Sequence, residues 1–256
     1  MIKYYVMGND SRTLKLKELL ECENKVVEDI NICDEIICSI PFSTDDIYVN
    51  NSNNYEINKL FNMKKRIYSG AFTKNMKEYM NSLNVDYIDL MDKDEVAILN
   101  AIPTAEGAIY TAIEMRDITI HGSKVLVLGF GRCGKILAKA LKGMGASVCI
   151  GARKNEHFAY AKAECFNYIY LKELEKEIYN FDYIFSTIPK LILDRNMLDK
   201  VDKKCAIIDI ASKPGSIDFE YAKKLGLNIN WTLALPSKVA PMSAALYLKE
   251  AIEKKE

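Results

Sequence analysis

The residues best placed to do chemistry begin at Gly129. Gly129-Phe130-Gly131-Arg132-Cys133-Gly134 follows an apolar run, Val125 to Leu128, and precedes an Ala/Leu/Lys-rich segment; a second apolar run, Ser147 to Ile150, closes the unit. Strand, glycine turn, helix and strand within about thirty residues form the pattern that holds a dinucleotide. Gly129 allows the tight turn, Gly131 lets the backbone approach a pyrophosphate, and Gly134 lets the helix pack close to its strand. The helix start then offers free backbone N–H groups and the favourable end of its dipole to phosphate. Arg132 and Cys133 stand at that mouth, with Arg132 either on phosphate or in solvent.

The end of the second strand discriminates between dinucleotides. An acid about twenty residues after the first glycine holds the ribose 2′-hydroxyl of NAD. Here the position reads Gly151-Ala152-Arg153-Lys154, with no acid and two cations beside its place. Guanidinium pairs well with phosphate, so Ala152, Arg153 and Lys154 predict NADP rather than NAD. Downstream apolar runs end in Ser186-Thr187-Ile188-Pro189, Ala211-Ser212-Lys213-Pro214-Gly215 and Pro236-Ser237-Lys238. Loops at the carboxyl ends of parallel strands are where ligands bind, which adds Thr187, Ile188 and Pro189 to the cofactor set. By the same argument Lys213 and Lys238 are candidates to bind a carboxylate or transfer a proton; otherwise they are exposed loop lysines.

These loops need a scaffold, and its pattern runs through the chain. Tyr4 to Met7 reads as a strand, followed by Gly8-Asn9-Asp10-Ser11-Arg12 and a helical segment. Asp10 and Arg12 can pair with each other or grip a substrate carboxylate. Asp34-Glu35-Ile36-Ile37-Cys38-Ser39-Ile40-Pro41 is echoed by Asp182-Tyr183-Ile184-Phe185-Ser186-Thr187-Ile188-Pro189, which points to two α/β halves with parallel strands. The Asn-rich stretch around Asn50 to Asn54 reads as a surface loop. Strands are expected at Arg66 to Ser69 and Tyr87 to Leu90, with a helix from Thr73 to Leu83 between them. From Asn100 a connecting helix is expected, with Pro103 in its first turn. Thr104 and Glu106 near that start are explained at least as well by capping and dipole complementarity as by catalysis. His121 falls in the turn before the Lys124 strand, at its amino end, and reads as a turn histidine. Further strands are expected at 168–170, 182–187, 206–210 and 228–233, and a closing helix at 240–254.

The expected fold class is therefore α/β in two domains: a smaller N-terminal Rossmann/flavodoxin-like domain and a C-terminal Rossmann dinucleotide-binding domain with a parallel sheet, with a cleft between them. The boundaries read as 1–97, a connecting helix at 98–116, the NADP-binding domain at 117–235, and a terminal helix at 236–256 returning towards the first domain.

Composition narrows the function classes. Apolar residues make up 49% of the 256, enough for packed cores, and 35 basic residues balance 35 acidic ones. No net field favours nucleic acid or an acidic membrane. Met1 to Met7 is a short apolar strand rather than a signal peptide, and no uninterrupted apolar run is long enough to span a bilayer. A soluble cytoplasmic protein is expected. The cysteines at 22, 33, 38, 133, 149, 165 and 205 form no CxxC pair, and with His121 and His157 they offer no metal-ligand spacing. An odd, unpaired set fits a reducing compartment, and no metal is expected.

Longer segments carry a resemblance. NAIPTAEGAI, ITIHGSKVLVLGFGRCGKILAKALKGMGASVCIGARK, IIDIASKPGSIDFEYA and LPSKVAPMSA, with the GNDSR start, resemble the A-subunit family of dipicolinate synthases from spore-forming bacteria. The likeness is strongest from Asn100 to Ala245. Ser237 stands where a PGKVAP-like loop has glycine, and the Asn-rich loop is a second departure. The resemblance implies NADP-dependent oxidation of dihydrodipicolinate to dipicolinate in the mother cell during sporulation. It implies a flavoprotein-like partner, the synthase's B-subunit, in a homodimer or hetero-oligomer, and an architecture similar to the 2-hydroxyacid dehydrogenases. A dicarboxylate substrate needs cationic or donor-rich anchors, for which Arg12, Lys213 and Lys238 are the candidates, assisted by Asn100, Thr104 and Ser212. Glu106 or Asp10 would serve as base. Two other readings stay open: an NADP-dependent reductase of another small carboxylated substrate, and a non-catalytic NADP-binding partner of the B-subunit.

The cofactor reading is directly testable by titrating both dinucleotides. NADP is expected to bind more tightly than NAD, and Arg153→Asp to weaken NADP selectively; equal or tighter NAD binding by the unaltered chain would sink it.

Overall fold

The computed structural model describes residues 1–254. The chain divides into two compact units, Met1–Asn100 with Pro236–Glu256, and Ala101–Leu235; the last two residues of the first lie outside the described residues.

The second unit is built on six parallel strands. They are β5 (Lys124–Leu128), β6 (Ser147–Ala152), β7 (Asn167–Tyr170), β8 (Tyr183–Ser186), β9 (Ala206–Asp209) and β10 (Asn228–Trp231), in spatial order β10-β9-β8-β5-β6-β7. The chain therefore works outward from β5 in one direction and then restarts beside it with β8. That reversal leaves a crevice between the β5 and β8 carboxyl ends, the place where such sheets bind ligands. Both faces are covered, which is why the strands read as nearly continuous apolar runs. Val125 and Val127 point into one core with Leu137, Ala138 and Leu141 of helix α5 (Arg132–Gly143). Leu126 and Leu128 point into the other, with Leu174, Leu198 of α7 (Arg195–Leu198) and Ala222 of α8 (Phe219–Lys224). Helix α6 (Asn155–Ala163) joins β6 to β7.

The first unit carries β1 (Tyr4–Met7), β2 (Glu35–Cys38), β3 (Arg66–Ser69) and β4 (Tyr87–Asp89), parallel and in that order. Val26 adds a parallel bridge on the free side of Tyr4. With it the order becomes that of a flavodoxin-like sheet, with its own reversal between β1 and β2. Helices α2 (Ile57–Phe61) and α3 (Lys74–Ser82) cover one face through Leu60, Met76 and Met80. The other face takes Leu16 and Leu20 of α1 (Ser11–Glu21) together with Leu248, Ala251 and Ile252 of α10 (Pro241–Glu253). A short helix, α9 (Leu235–Val239), precedes α10.

The echo between 34–41 and 182–189 occupies the same station in each unit. Asp34 N–H donates to the Lys3 carbonyl at 2.8 Å, and its carboxylate accepts from Lys3 N–H at 2.7 Å. Asp182 makes the same pair with Lys124, at 2.9 Å each way. Each aspartate thus sets the register of the strand beside the reversal against the first strand of its unit.

One helix corrects the sequence reading. Helix α4 runs Asp94–Met115, with Asp94 and Glu95 in its first turn, so Pro103 lies inside it rather than at its start. Proline there removes one i to i−4 hydrogen bond, to the Leu99 carbonyl, a loss that a 22-residue helix absorbs through packing. Ala105, Ala108, Ile109 and Ala112 form the buried stripe that docks it in the second unit's core. Thr104 and Glu106 are consequently mid-helix, and neither caps an end. By length and composition α4 is also the one helix among the described residues that would suffice to cross a membrane, although half of that stretch is buried within the protein.

Leu126 is fully buried at the centre of the second unit's sheet. Leu126→Ala is expected to lower unfolding free energy by about 3 kcal/mol in urea titrations, and a loss below about 1 kcal/mol would contradict this packing.

Candidate functional site

Three backbone groups meet at the β5–β8 crevice. Gly129 has φ +96°, and a Cβ there would collide with the Thr187 hydroxyl. That hydroxyl donates to the Leu128 carbonyl at 3.0 Å, while Gly129 N–H donates to the Gly151 carbonyl at 2.8 Å. A Cβ on Gly134 would collide with the Gly129 carbonyl, so the helix start comes as close to the strand end as backbone permits. Gly131 differs: it is exposed and a Cβ there would meet nothing within 4 Å. It is also the N-cap of α5, with no side chain bonding the first N–H groups. The turn therefore leaves open backbone and unsatisfied donors where a pyrophosphate would lie, and these residues fit that group. Phe130 points inward, 2% exposed, with Phe166 and His157 at its ring edges. Only its backbone is available to a ligand. Burial raises the Cys133 thiol above its ordinary value against the pull of Arg132, so this cysteine is no activated nucleophile.

At the end of β6, Ala152 is buried and Arg153 and Lys154 are exposed. Lys154 Nζ lies 3.1 Å from Glu156, whose carboxyl it holds below the usual range. His157 stands 3.7 Å from the same carboxylate oxygen, and burial lowers its pKa. Thr187 and Ile188 are half-buried beside Gly129, and Pro189 is exposed.

The loop after β9 rests on a residue that the sequence reading passed over. Asp209, fully buried, accepts from Ala211 N–H at 2.9 Å, Ser216 N–H at 2.6 Å and Ser216 Oγ at 2.9 Å. Burial pushes its carboxyl above the ordinary value, an effect these three donors oppose. Trp231 Nε1–H donates to the Ala211 carbonyl at 2.9 Å, and its indole stacks on Phe219. Clamped at both ends, the loop presents Ser212 and Lys213 to solvent, with Lys213–Pro214 cis. The signal was legible as an acid closing an apolar strand just before Lys-Pro-Gly, where a buried carboxylate can collect the loop's N–H groups.

In the first unit, the β1–β2 reversal repeats the same geometry. Gly8 has φ +138°, and a Cβ there would collide with the Ser39 hydroxyl. Asp10 caps α1, accepting from Thr13 N–H at 3.2 Å and Thr13 Oγ1 at 2.6 Å. Arg12 is only 5% exposed and donates to the Ile40 carbonyl at 2.9 Å; burial lowers its pKa. Asp10 and Arg12 therefore form no ion pair with each other. The cap explains Asp10 structurally, whereas the Arg12 Nε is buried without a hydrogen-bond partner among the described residues. Asn100 is buried, Thr104 is half-buried and Glu106 is exposed on α4. Ser237 and Lys238 belong to α9 rather than a loop, with Lys238 exposed. Among the described residues no cluster of His, Cys, Asp and Glu could hold a metal ion.

A doubly wound sheet with an open glycine turn at its reversal defines a Rossmann chain of the dehydrogenase type. The shikimate/quinate 5-dehydrogenase profile matches residues 112–228. The dipicolinate synthase A-subunit of Bacillus subtilis (strain 168) is 36% identical over 188 residues, 73% of this chain and 63% of that relative's length. The chain thus spans less than two thirds of that relative in the match. The crystal structure of the dipicolinate synthase A-subunit from Bacillus halodurans superposes with TM-score 0.88 at 30% identity, covering 98% of this chain and 97% of that one. The Bacillus subtilis structure gives TM-score 0.88 at 30% identity over 99% and 95% of the two chains. The chain belongs to the dipicolinate synthase A-subunit family.

The two glycines separate binding from folding. Gly131→Ala is expected to leave stability within about 1 kcal/mol and to weaken dinucleotide binding about tenfold or more. Gly134→Ala should instead lower the unfolding midpoint. Unchanged dinucleotide affinity in a folded Gly131→Ala protein would remove the pyrophosphate from this turn.

Proposed function

We propose that this chain is an NADP-dependent oxidoreductase that oxidises dihydrodipicolinate to dipicolinate, working with the synthase's B-subunit in the mother cell during sporulation. The observation that carries the reading is the β6 corner. There, Ala152-Arg153-Lys154 replaces the ribose-binding acid in a chain belonging to the A-subunit family. Arg153 is the better 2′-phosphate ligand of the two cations, because Lys154 is already paired with Glu156. When bound, the nicotinamide supplies the acceptor for a hydride from the dihydropyridine ring; loss of a ring proton then completes the aromatic product.

The chain's own residues bind, orient and exclude water. Backbone N–H groups at Gly131 to Cys133 hold the pyrophosphate. Lys213 and Ser212, on the loop that Asp209 and Trp231 fix, take one substrate carboxylate. Lys238 and the buried Arg12 of the first unit are assigned to anion binding, with Asn100 of that unit and Thr104 of the second as neutral donors. Glu106 is preferred as base over Asp10, since both Asp10 oxygens already accept from Thr13. Assembly as a homodimer or with the B-subunit is part of the proposal.

NADPH formation from dihydrodipicolinate decides the matter, measured with this chain alone, with the B-subunit on its own, and with both together. Activity that requires this chain and falls about tenfold or more in Lys213→Ala or Lys238→Ala supports the reading. Unchanged turnover and substrate affinity in both variants would show that the substrate site is misplaced. Full activity of the isolated B-subunit would make this chain a dinucleotide-binding partner instead.

A further inference from the structure

The acid missing from the end of β6 has a counterpart a short way along the chain. Glu156 lies in the first turn of α6, just beyond Arg153 and Lys154. A negative charge there complements the helix dipole, which accounts for an acid at this position but not for its partners.

Glu156 Oε1 lies 3.1 Å from Lys154 Nζ and 3.7 Å from His157 Nε2. Burial lowers the His157 pKa, so the imidazole is mainly neutral at neutral pH and Lys154 supplies the charge that Glu156 meets. Lys135 also acts on this carboxylate, but its ammonium stands over the Tyr160 ring, 4.2 Å from the centroid. Lys154 holds the Glu156 carboxyl below its usual range, so the acid is ionised. The side chains of Lys154 and Glu156 are 64% and 60% exposed, and a ligand in solution reaches both. An ion pair this exposed adds little to stability. Its consequence is for the next anion to arrive.

At this corner NADP differs from NAD by one phosphate group. Charge-assisted contacts are about 3 Å long, so two anions sharing one ammonium stand no more than about 6 Å apart. That lies inside the screening length of about 8 Å at physiological salt. A 2′-phosphate must therefore draw Lys154 away from Glu156 and then remain within reach of the carboxylate charge. The ribose hydroxyl of NAD carries no charge and meets neither penalty.

We propose that Glu156 sets the margin between NADP and NAD at this site, acting as an internal anion that competes with the 2′-phosphate for Lys154. The inference rests on the NADP reading above. Lys154 passes from Glu156 to the phosphate when NADP binds. The acid thus lowers NADP affinity while leaving NAD untouched, and discrimination is smaller than Arg153 and Lys154 would give without it.

The test measures NADP and NAD dissociation constants by calorimetry at physiological ionic strength. It uses the full chain as parent, Glu156→Gln, Lys154→Ala and the double variant. In Glu156→Gln, NADP is expected to bind about threefold to tenfold more tightly, with NAD changed by less than about twofold. Lys154→Ala is expected to weaken NADP binding at least about twofold more in the Glu156→Gln background than in the parent, since only there is the ammonium free of a competitor. An equal loss in the two backgrounds would overturn the exchange, as would an equal gain for NADP and NAD in Glu156→Gln. A parent that prefers NADP, with no gain in Glu156→Gln, would sink this inference alone. A parent that binds NAD as tightly as NADP would sink the NADP reading and this inference with it.

Discussion

At the β5–β8 reversal, backbone approaches backbone with no side chain between. The Gly129 carbonyl touches the place where a Gly134 Cβ would be, and the Thr187 hydroxyl fills the corresponding place at Gly129. The rest of the second unit depends on that approach. It lets α5 begin directly over the end of β5, so that its first N–H groups face the crevice instead of the strand. The same Thr187 hydroxyl is anchored on the Leu128 carbonyl, which ties β8 to β5 at the point where their following loops part. A larger residue at either glycine would push the helix start outward and separate the donors from the crevice.

The first unit uses the same device for a different end. Gly8 packs on the Ser39 hydroxyl as Gly129 does on Thr187, and Asp34 holds Lys3 as Asp182 holds Lys124. The two units differ at the mouth. The start of α5 is left without a side-chain cap, whereas Asp10 caps α1 and Arg12 is folded inward to the Ile40 carbonyl. One helix start is thereby left with free backbone donors, while at the other the Asp10 carboxylate accepts from the Thr13 N–H.

Asp209 shows how a buried carboxyl group sets the backbone of an exposed loop. Its oxygens gather the N–H groups of a loop that would otherwise have no regular partner, and Trp231 fixes the loop's first carbonyl. The exposed Lys213 is held on a backbone whose position is set from beneath by Asp209 and Trp231.

Local pattern was enough to read the second unit's strands, the glycine turn, the missing acid at the β6 end and the repeat at 34–41 and 182–189. Each depends on neighbours in the chain: periodicity, glycine spacing, and an acid or cation at a set distance. The extent of α4 was not legible, because Pro103 mimics a helix start and only packing of the Ala105 to Ala112 stripe shows that the helix is already under way. Nor were the partners of Asp10, Arg12 and Asp209, whose roles are set by groups brought near through the fold: Arg12 meets a carbonyl 28 positions away. The sequence alone determined the fold and its dinucleotide-type glycine turn, because both are written in short-range spacing. Tertiary structure decided which polar groups are already satisfied and which are left to bind, because satisfaction depends on burial and on partners remote in the chain.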